Sequence, residues 1–328
     1  MRKLGIAILS LASLTAWANE PVDPAWVSAV KAVQAKRVDQ FKQQSHWLHE
    51  AVKALCIKPG VAGLNSARRA WMDADSALHG VEAAAMGPTL ARRTVRVVGF
   101  RPTRVEMIET AVAEADVEPS LAASGLPALE YLLFDKGDAN RQLTLLRQAK
   151  RCQYTTGRAA AVEAEALALQ ADWQAFLTQT TGSEAVVADL VNQSLGLIDS
   201  WRSGRNAKLR RDKPLQAAEY LQWRDGTSRR LANHLSALEA LWQAGDAGHK
   251  LADVAMVRGG RPDLASRLTA AMASLRDTQK AFQQAKPTQA AESLAALQKQ
   301  MTALRLLLES ELAPMLGVTI TFNEADGD

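Results

Sequence analysis

The sequence is poor in the residues that build metal cages and nucleophilic triads: 328 residues hold two cysteines, five histidines and three tyrosines. Neither Cys56 nor Cys152 has Cys or His neighbours at the short spacing of a structural zinc cage. His-Glu-x-x-His is absent, which argues against the usual helix-borne hydrolytic zinc site. Gly-x-Ser-x-Gly is absent too, and the scattered histidines form no persuasive Ser/His/Asp set. Alternation of β-branched residues is scarce, and only Val318-Thr-Ile-Thr-Phe322 reads as extended. A long apolar run is missing everywhere but at the N-terminus, and that one is too short to span a bilayer.

The N-terminal run has the grammar of an export signal. Arg2 and Lys3 precede an apolar stretch from Leu4 to Leu14, and Ala16-Trp-Ala18 fits the small-x-small rule for cleavage after Ala18. No cysteine stands directly after that point, where Asn19 lies, so a lipid-anchored N-terminus is not expected. Loss of residues 1–18 removes Arg2 and Lys3 and leaves 37 basic against 35 acidic residues, a formal charge of +2. That charge is too small to imply nucleic acid, whose binding needs a concentrated basic footprint. One local basic run, Arg202, Arg205, Lys208, Arg210, Arg211 and Lys213, is broken only by Asp212 and reads as a solvated loop or helix end. In an oxidising compartment the even cysteine count points to a Cys56–Cys152 disulfide, with two unpaired buried thiols as the alternative.

What is abundant is helical periodicity. Val38, Phe41, Leu48, Val52 and Leu55 recur at three, four and seven residues, and Val162, Ala166, Leu169, Trp173 and Phe176 do the same. Leu231, Leu235, Leu238 and Leu241 form a third stripe, and Leu294, Leu297, Met301, Leu304 and Leu308 a fourth. Stripes at this spacing pack as bundles, so the fold class is all-α. Gly87-Pro88 ends one helix, Pro102, Pro119 and Pro127 punctuate an irregular region, and Gly259-Gly260 and Pro314 mark later breaks. Such an irregular stretch inside a compact chain usually carries or covers a site. We expect two helical-bundle halves, residues 19–180 and 181–328.

Gly125-Leu-Pro-Ala-Leu-Glu130-Tyr-Leu-Leu-Phe134 resembles the signature of the imelysin family, Gly-x-His-x-x-Glu, with Pro127 where the motif has histidine. Other segments carry the same resemblance. Trp71 to Pro88, with Glu82 five residues before Gly87-Pro88, is similar to the family's first conserved helix. Phe100-Arg-Pro-Thr-Arg104 followed by Ile108-Glu109 is similar to its aromatic-x-Pro-x-Arg segment, and Leu316 to Asp328 to its characteristic ending. The resemblance implies two four-helix-bundle-like domains with a site in the groove between them, a periplasmic location and a link to iron handling.

At Pro127 no ligand atom exists, so that helix can offer only Glu130. A proline in the first turn starts a helix without losing a useful donor, and Glu130 suits the N-terminal dipole. Glu130 is therefore either a helix-start carboxylate, held by Arg104, or a ligand. Arg104 is either that structural partner or a bidentate clamp for an anion. A second His-x-x-Glu, His79-Gly-Val-Glu82, can supply the imidazole that Pro127 removes. It gives a candidate metal site of His79, Glu82 and Glu130 for iron or zinc. His46, His49 and Glu50 form another cluster and read as surface polar cover. Trp71 and Tyr131 either line the groove or sit in the core.

The leading expectation is a non-enzymatic periplasmic protein that binds a small ligand or metal ion between its halves, in association with iron acquisition. Two alternatives stand beside it. One is a metallopeptidase of the imelysin type, which the missing motif histidine argues against. The other is an envelope scaffold that docks a protein partner through the groove, using arginines such as Arg101 and Arg104.

Overall fold

The computed structural model describes residues 24–83, 85–134, 139–179, 183–203, 217–244 and 261–321. Along the described residues the chain runs through α1 (Pro24–Ile57), α2 (Val61–Glu82), α3 (Pro88–Ala91), α4 (Thr94–Gly99), α5 (Val105–Glu114), α6 (Gly125–Phe134), α7 (Ala139–Leu146), α8 (Ala149–Leu177), α9 (Ser183–Ser203), α10 (Ala217–Trp242), α11 (Pro262–Gln284) and α12 (Ala290–Leu307). A π turn, Leu308–Leu312, continues α12 into a last short helical turn, Ala313–Met315. No strand occurs among the described residues. The expected export segment, the boundary near residue 180, the side chains of the basic run from Arg202 and the break at Gly259-Gly260 lie outside them.

The expected stripes are the buried faces. On α1, Val38, Phe41, Leu48, Val52 and Leu55 are fully buried, and on α8 so are Val162, Ala166, Leu169 and Trp173. Each such Val, Leu or Phe side chain contributes about 1.5–3 kcal/mol over leaving it in water. Pro59 stops α1, and Gly60, with extended backbone, opens α2. Gly87 turns the chain after α2 with φ +49, where a Cβ would run into the Phe176 ring, and Pro88 then starts α3 in the position that needs no N–H.

Packing groups the helices. α1 lies along α2 and α8, and α6 packs against α8, α2 and α4. Later in the chain α10 packs on α11, α11 on α12, and α12 on α9. α10 also lies against α2, and to a lesser extent α1, so it joins the two groups. One apolar cluster runs through both, from Trp26 to Leu316, and a smaller one surrounds Ile108, Leu132 and Tyr154.

The segment expected to be extended is irregular from Val318 to Thr321, while Phe322 lies outside the described residues. A side chain does the work of a partner strand there: Asn192 Oδ1 accepts from the Thr321 N–H, and Asn192 Nδ2 donates to the Thr319 carbonyl.

Cys56, at the end of α1, and Cys152, at the start of α8, are joined in a disulfide with their Cα atoms 5.6 Å apart. The bridge spans 96 positions of sequence. Closing a loop of that length is worth up to about 4–5 kcal/mol through the unfolded state. Urea unfolding of the Cys56→Ser/Cys152→Ser variant should therefore show a loss of about that size. A loss under about 1 kcal/mol would mean that the bridge constrains nothing the packing does not already hold.

Candidate metal centre

Two polar residues interrupt the buried stripe of α2. Asp75 and His79 share it with Leu64, Trp71, Ala74 and Leu78, and Glu82 closes the helix. Positions 75, 79 and 82 are four and three apart, so all three side chains project from one face. α10 crosses that face. Its own stripe, Leu231, Leu235, Leu238 and Leu241, is interrupted by His234, which is 2% exposed.

The three groups meet on one oxygen. His79 Nδ1 lies 2.8 Å from Glu82 Oε2, and His234 Nε2 lies 3.1 Å from the same atom. The two imidazole rings stand edge to face with centroids 4.9 Å apart. One ligand atom from each of His79, Glu82 and His234 falls within 4.8 Å of the others. The far side of each ring is also engaged. Trp201 of α9 donates its indole N–H to His234 Nδ1 at 3.0 Å. His79 Nε2 lies 3.3 Å from Asp75 Oδ2, and Arg230 directs its Nε–H at the same nitrogen from 3.0 Å. That nitrogen is contested: neutral, it accepts from Arg230; protonated, it donates to Asp75.

Electrostatics follow from this geometry. Burial alone would raise the Glu82 pKa, but the hydrogen bonds from His234 and His79 outweigh it and hold the carboxyl well below its usual value. Burial pushes His234 down to about 4, with Glu82 only partly opposing it, so the ring is neutral. For His79 burial works against the charge, but Asp75 and Glu82 flank the ring and raise its pKa. Asp75 is buried as well and is nonetheless held low by His79, Arg230 and Arg101. Two imidazole nitrogens and a carboxylate oxygen form a donor set suited to zinc or ferrous iron.

These helices belong to a known architecture. The model of the family described as imelysin (Peptidase M75) matches residues 35–310. The chain belongs to the imelysin family. Among solved structures, an imelysin-like protein from Psychrobacter arcticum is similar, with a TM-score of 0.65 and 18% identity. That match covers 93% of this chain and 100% of the other. A protein from Parabacteroides distasonis, described as an iron-regulated protein A precursor, is similar at a TM-score of 0.64 and 12% identity. There 89% of this chain and 97% of the other are covered. At these identities the likeness speaks for the imelysin fold. No curated protein matches the chain.

Within this imelysin chain, His79 and Glu82 of the expected site come together, but Glu130 does not join them. It sits on α6 and accepts from Arg101 at 2.9 Å, with 42% of its side chain exposed. The third member of the cluster is His234, 152 positions beyond Glu82. Nor does Arg104 hold Glu130. It caps the start of α5, its side chain is exposed, and its N–H donates to the Ala122 carbonyl.

Gly125 and Pro127 have structural roles. Gly125 has φ +69, and a Cβ there would overlap the Val98 carbonyl, so only glycine lets α6 start against α4. Pro127 is buried in the first turn of α6. Trp71 and Tyr131 are tied into polar pairs: Trp71 Nε1 donates to the Leu126 carbonyl at 2.8 Å, and the Tyr131 hydroxyl to Glu109 at 2.6 Å. In the third histidine cluster, Glu163 of α8 takes both His46 and His49, while Glu50 pairs with Lys53.

The sign of the pH dependence follows from His234. Its pKa falls from an ordinary 6.5 to about 4 on folding, so between those values the unfolded chain takes up a proton that the folded chain refuses. Stability should fall as pH drops through that window, and the slope should flatten in His234→Gln. Thermal unfolding at intervals from pH 7 to pH 4 measures both, and an equal slope in the variant would remove His234 as the source.

Proposed function

We propose that this chain is an exported, non-enzymatic imelysin-family protein that binds a divalent metal ion where its two helical halves meet. The ligands are His79 Nδ1, Glu82 Oε2 and His234 Nε2. One observation carries the reading: helices distant in sequence bring two imidazoles and a carboxylate to one buried point. A chain with only five histidines places two of them there. His79 also has the outer partner that a ligating imidazole usually needs, the Asp75 carboxylate behind its other nitrogen.

Binding suits this pocket better than hydrolysis. The side chains of His79, Glu82 and His234 are 9%, 17% and 3% exposed, so a peptide bond has no approach to an ion held among them. A hydrolytic metal needs an open position and a base beside it. Here the neighbouring carboxylates are engaged by imidazole and guanidinium. A role in iron acquisition is supported by the iron-regulated description of the Parabacteroides relative and by ligand types that suit ferrous iron. Export to the periplasm is supported by the N-terminal signal grammar. No described helix is long and apolar enough to cross a membrane.

Titration of the mature protein with Zn(II), and with Fe(II) under anaerobic conditions, should give one bound ion per chain. His79→Ala and His234→Ala should each abolish stoichiometric binding, whereas Glu130→Ala should leave it unchanged. Loss in Glu130→Ala with retention in His234→Ala would move the site to the motif helix. No binding in the parent would make the cluster a buried hydrogen-bonded clamp between α2 and α10.

A further inference from the structure

The two imidazoles of the cluster are unequal in what stands behind them. An indole N–H can donate and cannot accept. Trp201 Nε1 lies 3.0 Å from His234 Nδ1, so that nitrogen presents its lone pair. A neutral imidazole has one such lone pair, and its proton therefore sits on Nε2, pointed at Glu82 Oε2. A metal ion needs the opposite arrangement. It takes the Nε2 lone pair, and the proton must then reside on Nδ1, where it would face the indole N–H. A ligating histidine ordinarily gives that outer proton to a carboxylate, a carbonyl or water. His79 Nε2 faces a donor too, Arg230 at 3.0 Å, but it has the Asp75 carboxylate beside it at 3.3 Å to take an outer proton, whereas His234 Nδ1 faces the indole donor.

We infer that Trp201 is a positioning residue that locks His234 in the tautomer unable to bind metal, so that loading the cluster requires the indole to release the ring. The inference rests on the metal-binding reading above. Its proton balance is neutral at His234: Nε2 gives up its proton as the ion arrives, Nδ1 takes one up, and the ring stays uncharged. A cavity of about 10 Å³ adjoins the pair, lined by Leu197, Trp201, His234, Leu238 and Met301 among others. Release breaks a buried hydrogen bond, and the cost of leaving its donor without that partner corresponds to about tenfold or more in affinity. Trp201 therefore sets how tightly the site holds an ion, and α9 is coupled to occupancy of a site built by α2 and α10.

The test compares the mature protein with Trp201→Phe and Trp201→Leu, both of which delete the N–H and keep an apolar side chain. Long-range ¹H–¹⁵N correlation spectra of the metal-free parent should show His234 protonated on Nε2, a readout that loss of packing alone would not produce. Competition for Zn(II) against a chromophoric chelator should show about tenfold tighter binding in the variants. His234 protonated on Nδ1 in the metal-free parent would overturn the inference, as would equal or weaker zinc affinity in both folded variants. Equal affinity removes the gate and leaves the metal site standing. Zinc bound by none of the three proteins removes the metal site and the gate together.

Discussion

The arrangement of α2 against α10 depends on one largely buried carboxylate. Glu82 ends α2 inside the protein, where an unpaired charge would be prohibitive, and its Oε2 is met by an imidazole from its own helix and another from α10. That double engagement makes the charge tolerable and fixes the register between helices far apart in sequence. Asp75, Arg230 and Trp201 follow from it, each taking the outer nitrogen of one of the two rings. The cluster is self-consistent without an ion, which makes the direction of each hydrogen bond informative. A site whose donors are all spoken for accepts a metal only by exchanging one set of partners for another.

Much of the fold was legible because it rests on period. Stripes such as Leu294, Leu297, Met301 and Leu304 need only a helix and a neighbour, and burial followed the spacing. Two of the cluster's three residues were legible on the same ground, since His79 and Glu82 sit one turn apart on one helix. Asp75 could have been read with them, being four residues before His79 on the same face. His234 was not found, because a contact across 152 positions has no local signature. A weaker signal was present: it is the one imidazole inside the stripe Leu231, Leu235, Leu238 and Leu241, a polar group on a face otherwise committed to the core. Arg104 was the expected partner of Glu130 and Arg101 takes that place, because the segment between α4 and α5 is irregular and no period tells which arginine turns inward.

The Gly-x-Pro-x-x-Glu segment is where resemblance and geometry diverge. Its glycine is required by the approach of α6 to the Val98 carbonyl, its proline begins α6, and its glutamate forms a half-exposed pair with Arg101. Each residue has a local physical reason, and none places a ligand atom among His79, Glu82 and His234. The imidazoles of the cluster come instead from α2 and α10. On the proposed reading, binding chemistry is tied to how two groups of helices meet rather than to one motif helix.

Anomalous diffraction from zinc-soaked crystals of the mature protein tests this account most directly. It predicts a single strong peak about 2.0–2.2 Å from His79 Nδ1, Glu82 Oε2 and His234 Nε2. A peak at Glu130, or only at the surface pair His46 and His49, would contradict it.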